Sequence, residues 1–148
     1  MPVSPPDPAR HPTRRRPPFE ALTAVAVGGG VGTLARYELS AAVPFHRGGF
    51  PWAVFTVNVV GAFALGVIAT LASERGVPPR WLRPLLAVGF CGGLTTFSTW
   101  MVDAVRLGDD GRGGAAVLDV GATLTAGFLA LLVGVWAARS WSWGRRIA

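Results

Sequence analysis

The chain has 148 residues, 51% of them apolar, a mean hydropathy of +0.43, and fourteen arginines with no lysine against eight carboxylates. Charged residues make up 15%, below the roughly 25% of a soluble domain, which excludes an ordinary soluble enzyme and a disordered protein, while a lone cysteine, Cys91, excludes an internal disulfide scaffold. The pI near 11.4 invites nucleic acid, but the arginines border apolar runs and form no stripe between aromatics, so no nucleic-acid partner is expected.

Residues 1–18 are rich in proline, carry four arginines and contain no apolar run, so a disordered tail is expected there. Four apolar runs follow. Phe19 to Val43 is uncharged apart from Glu20, Arg36 and Glu38. Pro51 to Ser73 carries no charge, Trp81 to Val105 only Arg83 and Asp103, and Gly114 to Ala138 only Asp119. Each reaches the ~20 residues that cross ~30 Å of hydrocarbon as a helix. The expected fold is an all-α membrane protein with four transmembrane helices, at about 21–43, 51–73, 82–105 and 114–138. Together they form one domain over 19–140, with a cytoplasmic tail at 141–148. The linkers Phe45 to Phe50, Glu74 to Arg80 and Arg106 to Gly113 are short, which makes consecutive helices antiparallel neighbours.

Four spans place both termini on one side of the membrane. Arg10, Arg14, Arg15, Arg16, Arg75, Arg80, Arg83, Arg139, Arg145 and Arg146 lie on that side, against Arg47, Arg106 and Arg112 on the other. The ten-to-three bias predicts cytoplasmic termini in a multi-pass protein of the cell membrane, in contact with lipid.

Inside a bilayer a polar side chain must find a partner or line a wet path, so the intramembrane polar residues are the candidate functional ones. In the first run, Gly28 and Gly32 have the spacing of close helix contact. Arg36 has two uses: snorkelling to the interface, or holding positive potential at an anion vestibule. In the second run Asn58 is the one strongly polar side chain, and its amide either clamps a neighbouring helix or offers N–H donors to a solute.

The third run holds Gly89-Phe90-Cys91-Gly92-Gly93-Leu94-Thr95-Thr96-Phe97-Ser98-Thr99-Trp100. Paired glycines and then paired threonines weaken a helical ladder at mid-span, and a broken helix is expected, interrupted at Gly89 to Gly93. Carbonyls ending one half-helix suit a small cation, and N–H groups and hydroxyls opening the next suit an anion. Phe97 and Trp100 share one face, Thr95 and Thr99 another. In the fourth run Asp119, Thr123 and Gly127 form one stripe. Thr123 serves equally as a pore hydroxyl or an interface bond, and Asp119 is expected near the membrane boundary, where it stays hydrated. No histidine falls inside a run, so neither a histidine triad nor a zinc site is available at depth, and enzymatic chemistry is not expected.

Gly28 to Arg36 with Tyr37, Asn58-Val59-Val60-Gly61, and above all Gly89 to Thr99 resemble the signature elements of the Fluc/CrcB fluoride channels, over roughly Ala21 to Ala138. The resemblance implies an antiparallel, dual-topology dimer that exports cytoplasmic fluoride passively and so reduces its toxicity, with a structural sodium ion at the dimer's centre. Position by position, it implies sodium held by the backbone carbonyls of Gly92 and Thr95. The implied fluoride pathway runs along Arg36, Asn58, Phe97, Ser98, Thr99, Trp100 and Thr123. Trp100 stands where the family has a second phenylalanine. The simplest members show little arginine bias, so two assemblies are expected here: a homodimer, or a heterodimer with an oppositely oriented homologue. The chemistry suits the residues independently, since fluoride is small and tightly hydrated, and hydroxyls, an amide N–H and aromatic ring edges can replace its water. A proton-coupled multidrug transporter of four helices and a non-conducting membrane scaffold are the competing readings.

Overall fold

The computed structural model describes residues 18–43, 49–74 and 80–144. Nearly all of the proline- and arginine-rich segment, most of the first two linkers and the last four residues lie outside them, as do Arg47, Arg75, Arg145 and Arg146 of the topology argument. The described residues are helical, without strands: α1 (Phe19–Ala42), α2 (Trp52–Glu74), α3 (Pro84–Phe90 continuing into Cys91–Leu94), α4 (Ser98–Asp109) and α5 (Gly113–Gly144). Three segments, Trp52–Glu74, Pro84–Asp109 and Gly113–Trp141, are long and apolar enough to cross a bilayer. The 24 residues of α1 give comparable length, but three successive glycines and the charges of Glu20, Arg36 and Glu38 dilute its apolar character. The 32 residues of α5 span ~48 Å at ~1.5 Å per residue, so this helix outruns the hydrocarbon.

Helices in lipid gain little from hydrophobic exclusion and associate through close backbone approach, which small residues permit. Glycine does this at two seams. A Cβ on Gly28 would strike the Leu85 carbonyl, one on Gly32 the Phe90 carbonyl, and one on Gly93 the Gly29 carbonyl, so α1 and α3 are in backbone contact. Gly66 and Gly134 bring α2 and α5 together in the same way, against the carbonyls of Leu131 and Phe63. The first half of α3 is wound wide, with the Cys91 N–H bonded to the Leu86 carbonyl five residues back.

The third apolar run is broken, but not where its glycines stand. Gly89, Gly92 and Gly93 are helical, and the chain leaves the helix at Thr95 (ψ 155°), resuming at Ser98. This corrects the expectation of an interruption at Gly89 to Gly93: Gly89 and Gly93 serve the seam with α1. The α4–α5 corner is closed by Gly111 at φ 73°, with the Arg112 N–H on the Leu107 carbonyl and the Gly111 N–H on that of Gly108. This left-handed helix stop is costly for residues with a Cβ.

The seams make a graded prediction. Gly28→Val and Gly32→Val meet unyielding backbone and should destabilise the protein by about 2 kcal/mol or more, whereas Gly30→Val, on the same helix with open space around it, should cost far less. Thermal unfolding in detergent measures the difference.

Candidate functional site

The break is held open by Asn58. Its Oδ1 accepts the Thr96 N–H at 2.8 Å and its Nδ2 donates to the Thr96 carbonyl at 3.1 Å. In an uninterrupted helix that N–H would bond to the Gly92 carbonyl, which therefore loses its helical donor. Both peptide groups of Thr96 are satisfied from a neighbouring helix, the condition under which non-helical backbone survives at membrane depth. Thr95 folds its hydroxyl back onto the Cys91 carbonyl at 2.9 Å, and its methyl group rests where any side chain on Gly61 would go. Asn58 thus acts as the clamp, one of the two uses its chemistry allowed. Asn58 also lines the groove beside the break, and its Nδ2 makes one hydrogen bond among the described residues.

Thr96, outside the pathway that the resemblance implies, organises the start of α4. Its Oγ1 accepts the Thr99 N–H at 3.2 Å, as a cap does, and lies 3.1 Å from Thr99 Oγ1 and 3.5 Å from Ser98 Oγ. The available signal was a lone intramembrane amide in one run and adjacent threonines in another, whose pairing only their spatial meeting reveals.

An open groove of about 320 Å³ beside the break is lined by Asn58, Thr95, Thr96, Phe97, Trp100 and Thr123, with Leu124, Gly127 and Phe128. Phe97 stands 71% exposed at its mouth while Trp100 is 6% exposed. The two rings meet edge to face at 5.7 Å and 83°, as their spacing on one face required. The Thr123 hydroxyl donates to Asp119 Oδ1 at 3.4 Å, so towards the groove Thr123 presents oxygen. Asp119 is fully buried, which corrects the expectation of a hydrated boundary carboxylate. The α4–α5 contact carries it inside, on the same face as Thr123.

Arg36 lies apart from the aromatic pair. It lines a second groove of about 270 Å³ with Thr33, Tyr37, Ser40, Val54, Thr96 and Thr99, and it makes no ion pair among the described residues. Thr96 borders both grooves. Thr99 also borders a wider cavity of about 500 Å³ that Asp103 and Arg106 line at the far end of α4. Asn58, Phe97, Trp100 and Thr123 are therefore brought together, Arg36 and Thr99 form a neighbouring group, and the exposed Ser98 reaches the set through Thr96. Gly92 is exposed, with open space where a Cβ would stand. Its freed carbonyl is of the hard-oxygen type that suits a small cation.

The family model described as "CrcB-like protein, Camphor Resistance (CrcB)" matches residues 23–135. A protein of Nocardia farcinica named fluoride-specific ion channel FluC 2 is 41% identical over 132 residues, covering 88% of this chain and 94% of its own. FluC 1 of Streptomyces coelicolor, also named a fluoride-specific ion channel, is 41% identical over 132 residues, 89% of this chain and 84% of its own. FluC 3 of Streptomyces avermitilis is 46% identical over 114 residues, 77% of this chain, and this chain spans only 56% of that longer protein. Matched through the glycine seams, the Asn58 clamp and the broken segment alike, this all-helical membrane protein belongs to the CrcB family.

Proposed function

We propose that the chain forms a fluoride-selective channel through which cytoplasmic fluoride leaves passively, lowering its toxicity. One observation carries this reading: Asn58, clamped to Thr96, and the exposed ring of Phe97 line one groove beside the break. Fluoride, once stripped of water, needs short-range donors of this kind, and a narrow path rejects larger halides. The route runs from the Arg36 and Thr99 side past Ser98 and Thr96 to Asn58, Phe97, Trp100 and Thr123. Arg36 supplies positive potential at one end. The names of the relatives support the same reading.

In this reading the protomer crosses the cell membrane four times with both termini cytoplasmic, α1 serving as the first span, and pairs antiparallel with a second copy or an oppositely oriented homologue. The exposed apolar faces of α1 and α5, including Val27, Val31, Leu118, Phe128 and Leu129, are available to lipid and to that partner. The carbonyls of Gly92 and Thr95 would hold a sodium ion at the dimer's centre. When bound, that ion supplies the positive charge that lets the negative ends of two half-helices sit together. A proton-coupled multidrug transporter needs a membrane-embedded carboxylate open to its substrate, whereas Asp119 is sealed between α4 and α5.

Reconstituted into liposomes loaded with potassium fluoride, the protein should release fluoride to an electrode when valinomycin is added, and should release no chloride from chloride-loaded vesicles. Phe97→Ala should cut fluoride flux by at least about tenfold, ~1.4 kcal/mol of barrier, with little loss of stability because the ring is exposed. Asn58→Ala should remove flux and also lower stability by about 2 kcal/mol, because it strands the Thr96 peptide. Replacing sodium by N-methylglucamine should shift the protein from dimer towards monomer in detergent, read by light scattering.

A further inference from the structure

Trp100 Nε1 and Asp119 Oδ2 are buried side-chain atoms without a hydrogen-bond partner among the described residues. They belong to helices that pack on each other, α4 and α5, and Trp100 lines the same groove as Thr123, whose hydroxyl bonds the Asp119 carboxyl. Indole offers one N–H and can only donate; a carboxyl oxygen accepts. Two complementary orphans at one helix contact are each other's natural partners, since a buried donor or acceptor left unpaired is costly. The remaining groups nearby are committed. Thr123 donates to Asp119 Oδ1 at 3.4 Å, and the buried Asp103, one turn beyond Trp100 on α4, holds Arg106 at 3.4 Å.

We infer that Asp119 is a positioning residue for the pathway: its carboxyl receives the indole N–H of Trp100 and so fixes the ring on which Phe97 leans. The inference rests on the fluoride-channel reading. A phenyl ring at position 100 needs no acceptor, whereas an indole there must place its N–H, and Asp119 supplies the acceptor from the facing helix. The edge-to-face contact between Phe97 and Trp100 carries that placement to the mouth of the groove. A tryptophan and an aspartate in separate runs thereby form one functional unit.

A double-mutant comparison in the full-length, reconstituted protein tests this. D119L should lower fluoride flux about tenfold, and D119N, which keeps a carbonyl acceptor, by less than about threefold. In the W100F background, D119L should lower flux by no more than about threefold relative to W100F alone, the part owed to the Thr123 hydroxyl that Asp119 also receives. An equal loss in both backgrounds would overturn the inference. The indole ¹H–¹⁵N resonance of Trp100, assigned by its disappearance in W100F, should move strongly in D119L and weakly in D119N; an unmoved resonance would also overturn it. The resonance reports the contact even if the wild-type protein carries no fluoride, so failure of the channel reading is told apart from failure of this one. If D119L does not fold, D119N is read in both backgrounds instead: its smaller loss of flux should disappear in W100F, and an equal loss in both would overturn the inference.

Discussion

The structure depends on one side-chain amide meeting both peptide groups of a single residue. Asn58 meets both the N–H and the carbonyl of Thr96, and in hydrocarbon no water is present to perform that service. Without it the third apolar run would have every reason to close into a continuous helix, returning the Thr96 N–H to Gly92. With it the run becomes two half-helices whose opposite dipole ends approach each other at the break. The exposed Phe97, the back-bonded Thr95 and the capping hydroxyl of Thr96 all take their places from that opening.

A clamp of this kind holds only if α2 and the broken segment are fixed relative to each other. Glycine provides the fixing. The α1–α3 seam ties the first half-helix to α1, and the Gly66 and Gly134 contacts tie α2 to α5. The two pairs join where Thr95 fills the space left by Gly61 and where Asn58 reaches Thr96. The ion pair between Arg139 and Glu74 at 3.2 Å adds little by comparison, being a surface contact.

The α4–α5 contact is polar inside and apolar outside. Asp119 and Thr123 are buried while Val117, Leu118 and Leu124 point outward, the reverse of a water-soluble helix and the arrangement lipid favours. The stripe of Asp119, Thr123 and Gly127 was legible from spacing alone. Its depth was not, because a carboxylate near the start of an apolar run fits a hydrated boundary equally well, and only the packing of α4 over it removes water. The glycines of the third run misled in a similar way: a glycine that weakens a helix and one that admits a neighbour are the same residue in a sequence. Gly28 and Gly32, by contrast, announce contact in the sequence itself, since a four-residue spacing of small side chains within one helix has few other uses.

Hydropathy and spacing by themselves determined the all-helical membrane class, the long apolar segments, the shared face of Phe97 and Trp100, and the existence of a break in the third run. These follow from the period of the helix and the thickness of hydrocarbon, both local or one-dimensional properties. Tertiary structure alone decided where the break falls, that Thr96 is its pivot, and that Asp119 is buried with Thr123 bonded to it. Each of those turns on which hydrogen-bond donor reaches which acceptor across helices far apart in the chain, and a competition between partners is settled only by their positions in space.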